Sequence, residues 1–263
     1  MSDFDRNYTA SPFGRAAARD AVAVDAGLRS YMLRIYNYMS IGLAITGLAA
    51  LGVYMAAVTT DPSAAAAKIG SSYLTAFGYA MFVSPLKWVF MLAPLAMVFA
   101  ISFGINRLKP ATAQLLFWAF AALMGISLSS IFLVYTHTSI TRVFFITAAS
   151  FGALSLYGYT TKRDMTGMGS FLLMGLFGII IASVVNIFVA SSMLQFIVSV
   201  VGVLIFAGLT AYDTQRLKND YIYGYASQGG DIAERAAITG ALSLYLNFIN
   251  LFTLLLQLLG QRE

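Results

Sequence analysis

The chain has 263 residues, 59% of them hydrophobic and only 10% charged, with a formal net charge of +5 and no cysteine. A soluble domain carries about 25% charged residues, so that class is excluded. The missing cysteines remove disulfides, thiolate catalysis and cysteine-ligated metals, and a lone histidine, His137, makes no metal site by itself.

Residues 1–30 read as a cytoplasmic tail, disordered to about residue 20 in a stretch rich in Ser, Asp, Arg, Ala and Gly. From Ala21 a helix is expected to feed the first span, with Arg29 and Arg34 at the headgroups. No apolar run precedes Tyr38, so no cleaved signal peptide is expected. Residues 31–263 then read as one membrane domain. Seven apolar runs of spanning length follow, at about Tyr38–Val58, Trp88–Ile105, Thr112–Tyr135, Val143–Thr160, Gly167–Ala190, Leu194–Tyr212 and Ala236–Leu259. The fold class is therefore all-α and integral to the membrane.

Details of the runs predict how they pack. Pro94 should kink the second span. Ala121, Gly125 and Ser129 form a small-residue strip on the third, suited to close helix approach. Trp88, Tyr135, Tyr157 and Tyr159 stand near span ends as interfacial anchors. The very short gap after Ala190 predicts a tight antiparallel hairpin between the fifth and sixth spans.

Charge placement sets the expected topology. Twelve of the sixteen Lys and Arg residues fall in the N-terminal segment and the loops after spans two, four and six. The other side holds Lys68, Lys87, Arg142 and Arg262. The positive-inside rule then puts the N-terminus in the cytoplasm and the C-terminus outside. Because the basic bias reads as topology, no nucleic-acid partner is expected. The lipid bilayer is the first partner, and the bacterial inner (plasma) membrane the expected compartment.

Two features carry the functional signal. Asp213, at the end of the sixth run, is the one acidic residue in or at the edge of these runs, where a carboxylate is expensive and marks a functional site. Arg107, Arg216 and Lys218 are its candidate cation partners. In the seventh run Gly240, Ser243, Asn247, Asn250, Thr253 and Gln257 are spaced 3, 4, 3, 3 and 4 apart, one face of a helix. Such a stripe is either interhelical glue or the wall of a polar path, since an unpaired amide in hydrocarbon costs several kcal/mol. Asn247 lies roughly 15 Å into its span at 1.5 Å per residue, deeper than Asp213. The two meet only if the sixth helix runs on to about Lys218 or if water enters.

The run Ala211-Tyr212-Asp213 with Gln215 and Lys218, followed by Ala241-Leu242-Ser243-Leu244-Tyr245-Leu246-Asn247-Phe248-Ile249-Asn250-Leu251-Phe252, resembles the C-terminal signature of the Bax inhibitor family. The resemblance implies seven transmembrane helices with the C-terminal helix central. It also implies a calcium-permeable, pH-sensitive leak. In that pattern two aspartates, one on each C-terminal helix, share a proton, and an arginine on the second helix latches the closed form. Asp213 matches the first aspartate and Arg107 the arginine, but Asn247 stands where the second aspartate is expected.

An amide there donates to an ionised Asp213 and removes the repulsion on which a shared proton depends. Asp213 is therefore expected to stay ionised and latched across physiological pH, with weakened calcium contact, because hard cations prefer carboxylate oxygens. The expected function is a calcium leak with altered pH gating, with calcium as transported ion, Asp213 as its possible contact and no cofactor. The alternative is a non-conducting regulator that binds a membrane protease or a stress-response partner. Enzyme chemistry is not expected: Gly229-Gly230-Asp231 lies in a polar loop, so Asp213 has no second intramembrane carboxylate for shared-proton catalysis.

Overall fold

The computed structural model describes residues 12–104, 108–227 and 230–262. Helix dominates because backbone N–H and C=O groups in hydrocarbon must be bonded within their own segment. The chain begins with α1 (Pro12–Ala57), so helix extends well into the stretch expected as a tail. Next come β1 (Val58–Thr59), β2 (Ala67–Ile69) and β3 (Ser72–Leu74), then α2 (Ala76–Phe82) and α3 (Lys87–Gly104). They are followed by α4 (Pro110–Leu128), α5 (Ile131–Val134), α6 (His137–Thr160), α7 (Thr166–Val189), α8 (Ser192–Tyr223) and α9 (Gly230–Leu259). Among the described residues seven helical segments are long and apolar enough to cross a membrane, and each coincides with an expected span.

Local chemistry marks where the helices begin and end. Pro110 opens α4, where a missing N–H costs nothing. Thr136 and Ser191 accept from the first-turn amides of α6 and α8. The predicted hairpin between α7 and α8 is there: Ala190 closes α7 in the left-handed region at φ 51°. Asn186 Oδ1 accepts from Ser191 N at 3.0 Å across the same turn. His137 is the first residue of α6, exposed and in ring contact with Tyr54 and Phe132. The linker after α1 holds structure that no period in the sequence announces, an antiparallel sheet of order β1-β3-β2. Thr75 then joins it to α2 by capping Gly78 N.

The C-terminal helix is central. α9 packs chiefly against α8, α1, α6 and α4, while α3 rests on α4 and α7 on α8. Half of the apolar window of α9 is buried, against 11% for α3 and α7, so the last two form the outer, lipid-facing layer. The core that holds α9 is aromatic. Tyr245 is wholly buried, with Phe117 and Phe120 edge-on to it at 5.8 and 5.6 Å. Its hydroxyl lies 2.6 Å from Thr46 Oγ1, which also reaches the Gly42 and Ala121 carbonyls. Carbonyls only accept, so Thr46 donates to them and Tyr245 donates to Thr46. One hydroxyl pair thus joins α9, α1 and α4.

Small residues bring backbones into contact, as the strip on the third span predicts. A Cβ on Gly125 would sit 2.3 Å from the Thr46 carbonyl oxygen, and one on Gly158 would sit 2.2 Å from that of Ala211. Both neighbours are backbone and cannot rotate away. Gly158→Ala therefore forces α6 off α8 and should destabilise the protein by about 1–3 kcal/mol. Gly178→Ala, where a Cβ meets nothing within 4 Å, should be neutral or mildly stabilising. Thermal unfolding of the two variants in detergent checks the contrast.

Candidate functional site

α8 and α9 run antiparallel, and their seam organises the site. Leu217 faces Gly240, Asp213 faces Asn247, Gly202 faces Leu254 and Ser199 faces Gln257. α8 does not stop at Tyr212 but continues to Tyr223, which carries Asp213 inside the bundle. That is one of the two conditions under which Asp213 and Asn247 could meet. They do meet: Asn247 Nδ2 donates to Asp213 Oδ2 at 2.7 Å, and both residues are buried.

The second carboxylate oxygen is also taken. Arg216, one turn along α8, donates to Asp213 Oδ1 at 3.0 Å, and its guanidinium lies over the Tyr212 ring. The two partners differ in weight. A hydrogen bond to a buried charged group contributes about 1.5–3 kcal/mol. Arg216 is 42% exposed, and ion pairs so close to water give about 1 kcal/mol or less. Asn247 is the firm partner and Arg216 the exchangeable one. Arg107 lies outside the described residues. Lys218, the third candidate cation, turns away and donates to the Tyr159 carbonyl at the end of α6, at 2.8 Å.

The polar stripe of α9 divides at Asn247. On one side Ser243 and Gly240 line a cavity of about 560 Å³, which Tyr31, Arg216, Leu217 and Arg235 also border. The cavity lies at the end of the bundle where Arg235, Arg216 and Lys218 cluster, and it stops one helical turn short of Asn247. On the other side the stripe serves packing. Asn250 Nδ2 donates to the Leu246 carbonyl and Thr253 Oγ1 to the Asn250 carbonyl, both on their own helix. Gln257 Oε1 accepts from Ser199 at 2.9 Å, which joins α9 to α8. The stripe is thus split between residues that line a cavity and residues whose side chains bond within the bundle.

Other residues of the site carried no role in the sequence reading. Gln215 accepts from Met165 N at 2.9 Å and donates to the Arg163 carbonyl at 2.7 Å, clamping the α6–α7 loop to α8. In that loop Asp164 accepts from the Thr166 hydroxyl and amide, which hold its carboxyl below the ordinary aspartate value. A directed chain of hydroxyls lies beside Asp213. Thr214 donates to the Thr210 carbonyl, so Ser155 donates to Thr214 and Tyr36 to Ser155. Single serines, threonines and tyrosines on three different helices give no sequence period by which this chain could be found. Among the described residues no three His, Asp or Glu side chains converge to hold a metal.

Relatives of this chain match it in sequence over most of its length. A family profile described as "Inhibitor of apoptosis-promoting Bax1" matches residues 28–263. The chain belongs to the Bax inhibitor family. It is 45% identical to an uncharacterized protein of Caulobacter vibrioides over 99% of this chain and 98% of that one. Inner membrane protein YbhL of Escherichia coli is 43% identical, over 90% of this chain and 94% of its own length. An uncharacterized membrane protein of Streptococcus pyogenes is 33% identical, over 91% and 96%. In this Bax inhibitor family chain the signature residues have separate tasks: Asp213 and Asn247 pair α8 with α9, Gln215 clamps a loop and Lys218 caps α6.

Replacing Gln215 by Leu removes both clamp bonds while keeping the side chain's bulk. At about 1 kcal/mol per bond, exchange at the Met165 amide should rise by roughly five-fold or more, with exchange along α9 unchanged. Hydrogen-exchange mass spectrometry of the two proteins tests this.

Proposed function

We propose that this protein is a multi-pass protein of the bacterial inner membrane that passes calcium or other cations in an open state and is drawn here closed. The compartment follows that of its relative, the inner membrane protein YbhL. The orientation, N-terminus in the cytoplasm and C-terminus outside, follows the basic loops. On that topology the cavity of about 560 Å³ is a cytoplasmic vestibule. The observation that carries the reading is its inner end: Arg216 lines the vestibule and at the same time binds Asp213. Past the Asp220 carboxylate that lines the vestibule, an ion from the cytoplasm reaches Arg216 and, behind it, Asp213, whose two oxygens are both bonded.

Opening needs the cheaper of the two bonds to break. Losing the Arg216 contact frees Asp213 Oδ1 towards the vestibule, and the roughly 1 kcal/mol involved makes this a readily populated change. Calcium wants six to eight oxygens, so water from the vestibule would supply most of its shell and Asp213 one contact. Asn247 presents an amide N–H where a second carboxylate would give another oxygen and share a proton. The pH response of this chain is accordingly blunted, because Asp213 has no second carboxylate beside it with which to share a proton. The reading assigns no enzyme activity.

A second reading draws on the other half of α9. Beyond Asn247 the stripe is spent on its own backbone and on Ser199. Near Phe248 and Phe252 the adjoining cavity, about 240 Å³, is lined mainly by apolar side chains such as Leu43 and Ile249. That supports a non-conducting regulator that works by binding a membrane protein partner.

Calcium influx into proteoliposomes at about pH 6, 7 and 8 separates the two readings. The parent should pass calcium with little pH dependence, Asp213→Asn should pass less, and Arg216→Gln should pass on the order of five-fold more, the equivalent of about 1 kcal/mol. Asn247→Asp should gain a pH dependence, because two adjacent carboxylates titrate as a pair. Folded protein that passes no calcium in any variant rejects the channel and leaves the regulator.

A further inference from the structure

α1 and α6 both pack on α9 and on α8, but they part from each other at the basic end of the bundle. Between them lies a groove of about 510 Å³. It runs from Arg29 opposite Tyr159 to Met39 opposite Phe151, which is ten residues of α1 or roughly 15 Å. That is about half of a 30 Å hydrocarbon core, the depth of one leaflet. Its walls are apolar, and the exposed Leu33 and Leu156 flank an opening that faces sideways, where lipid lies against crossing helices.

The polar groups inside this groove are already satisfied. The Tyr36 and Ser155 hydroxyls belong to the chain that ends on the Thr210 carbonyl, so they ask nothing of an occupant. At Gly152 the groove has spare room, because a Cβ there would meet nothing within 4 Å. Among the residues that line the groove the one charge, Arg29, stands at the mouth. Arg29 is exposed and forms no ion pair among the described residues. Lys218 stands behind the mouth, its ammonium 5.5 Å from the centre of the Tyr159 ring.

We propose that this groove is a lipid-binding site, which takes one acyl chain of an anionic phospholipid with its phosphate on Arg29. The occupant follows from the pairing of a leaflet-deep apolar slot with a cation at its headgroup end. A basic residue near an anionic headgroup typically favours it about five-fold over a neutral one. The acyl chain lies against Tyr36 and Ser155, and Ser155 donates to Thr214, the residue next to Asp213. An occupied groove thus braces α1 and α6 at a point one residue from the paired carboxylate.

Native mass spectrometry and thermal unfolding of the full chain in detergent, with phosphatidylglycerol or phosphatidylcholine added, test the site without any ion flux. Their outcome is independent of the leak reading. The parent should retain one phosphatidylglycerol per chain, about five-fold tighter than phosphatidylcholine, with a raised unfolding temperature. Arg29→Gln, on an exposed position, should bind the two lipids equally. Gly152→Phe should fill the slot and lose both while remaining helical. Undiminished lipid retention in a folded Gly152→Phe overturns the proposal, as does an unchanged phosphatidylglycerol preference in Arg29→Gln. So does stabilisation by inorganic phosphate alone, which marks a free-anion site, or a loss of dimer in place of lipid, which marks a second copy as the occupant. Should Gly152→Phe fail to fold, the headgroup preference in Arg29→Gln decides.

Discussion

A polar group placed inside a bilayer has no water to fall back on, and α9 carries five polar side chains into that setting. Each described pairing in the centre of the bundle follows from this constraint. Asn247 must find an acceptor, and Asp213 must find donors or water. α8 meets both needs by continuing past the point where its apolar run ends. The extension to Tyr223 places Asp213 opposite Asn247, Gln215 under the α6–α7 loop and Lys218 on the end of α6. A helix that ended at Tyr212 would leave the amide of Asn247 without its partner.

The rest of the bundle is arranged to let that seam close. Backbone contact at Gly158 and Gly125 sets α6 against α8 and α4 against α1 at distances no larger residue permits. Tyr245, fully buried, locks α9 to α1 and α4 through Thr46. Little of this rigidity reaches the basic end. There the vestibule between α1, α8 and α9 and the groove between α1 and α6 leave open space on either side of α1. The molecule is tightly packed where α9 carries Tyr245 and Asn247 and open where Arg216 stands.

Asp213 expresses the same division within one side chain. One oxygen is tied to a buried amide on another helix and the other to a half-exposed guanidinium one turn away on its own helix. Breaking the first bond separates α8 from α9. Breaking the second only rotates an arginine within the cavity it already lines. The amide at residue 247 gives the pair a fixed donor, and Asp213 supplies its acceptor.

Much of this was legible before any coordinates. Seven spans, their order and the tight turn after Ala190 follow from apolar runs, because hydrocarbon thickness dictates their length. The stripe on α9 follows from its period, and the signature around Asp213 and Asn247 names the family. The strip at Gly125 announced a close approach, though not that Thr46 would be the residue met. Other features depended on the tertiary structure. Where α8 ends is decided by packing on α6 and α9, because the segment from Asp213 to Tyr223 is too polar to read as part of a span. Which cation reaches Asp213, which stripe residues face a cavity, and the hydroxyl chain from Tyr36 to Thr210 join residues far apart in sequence. Periodicity assigns a residue to a face of its own helix. It takes the packed bundle to say what that face meets.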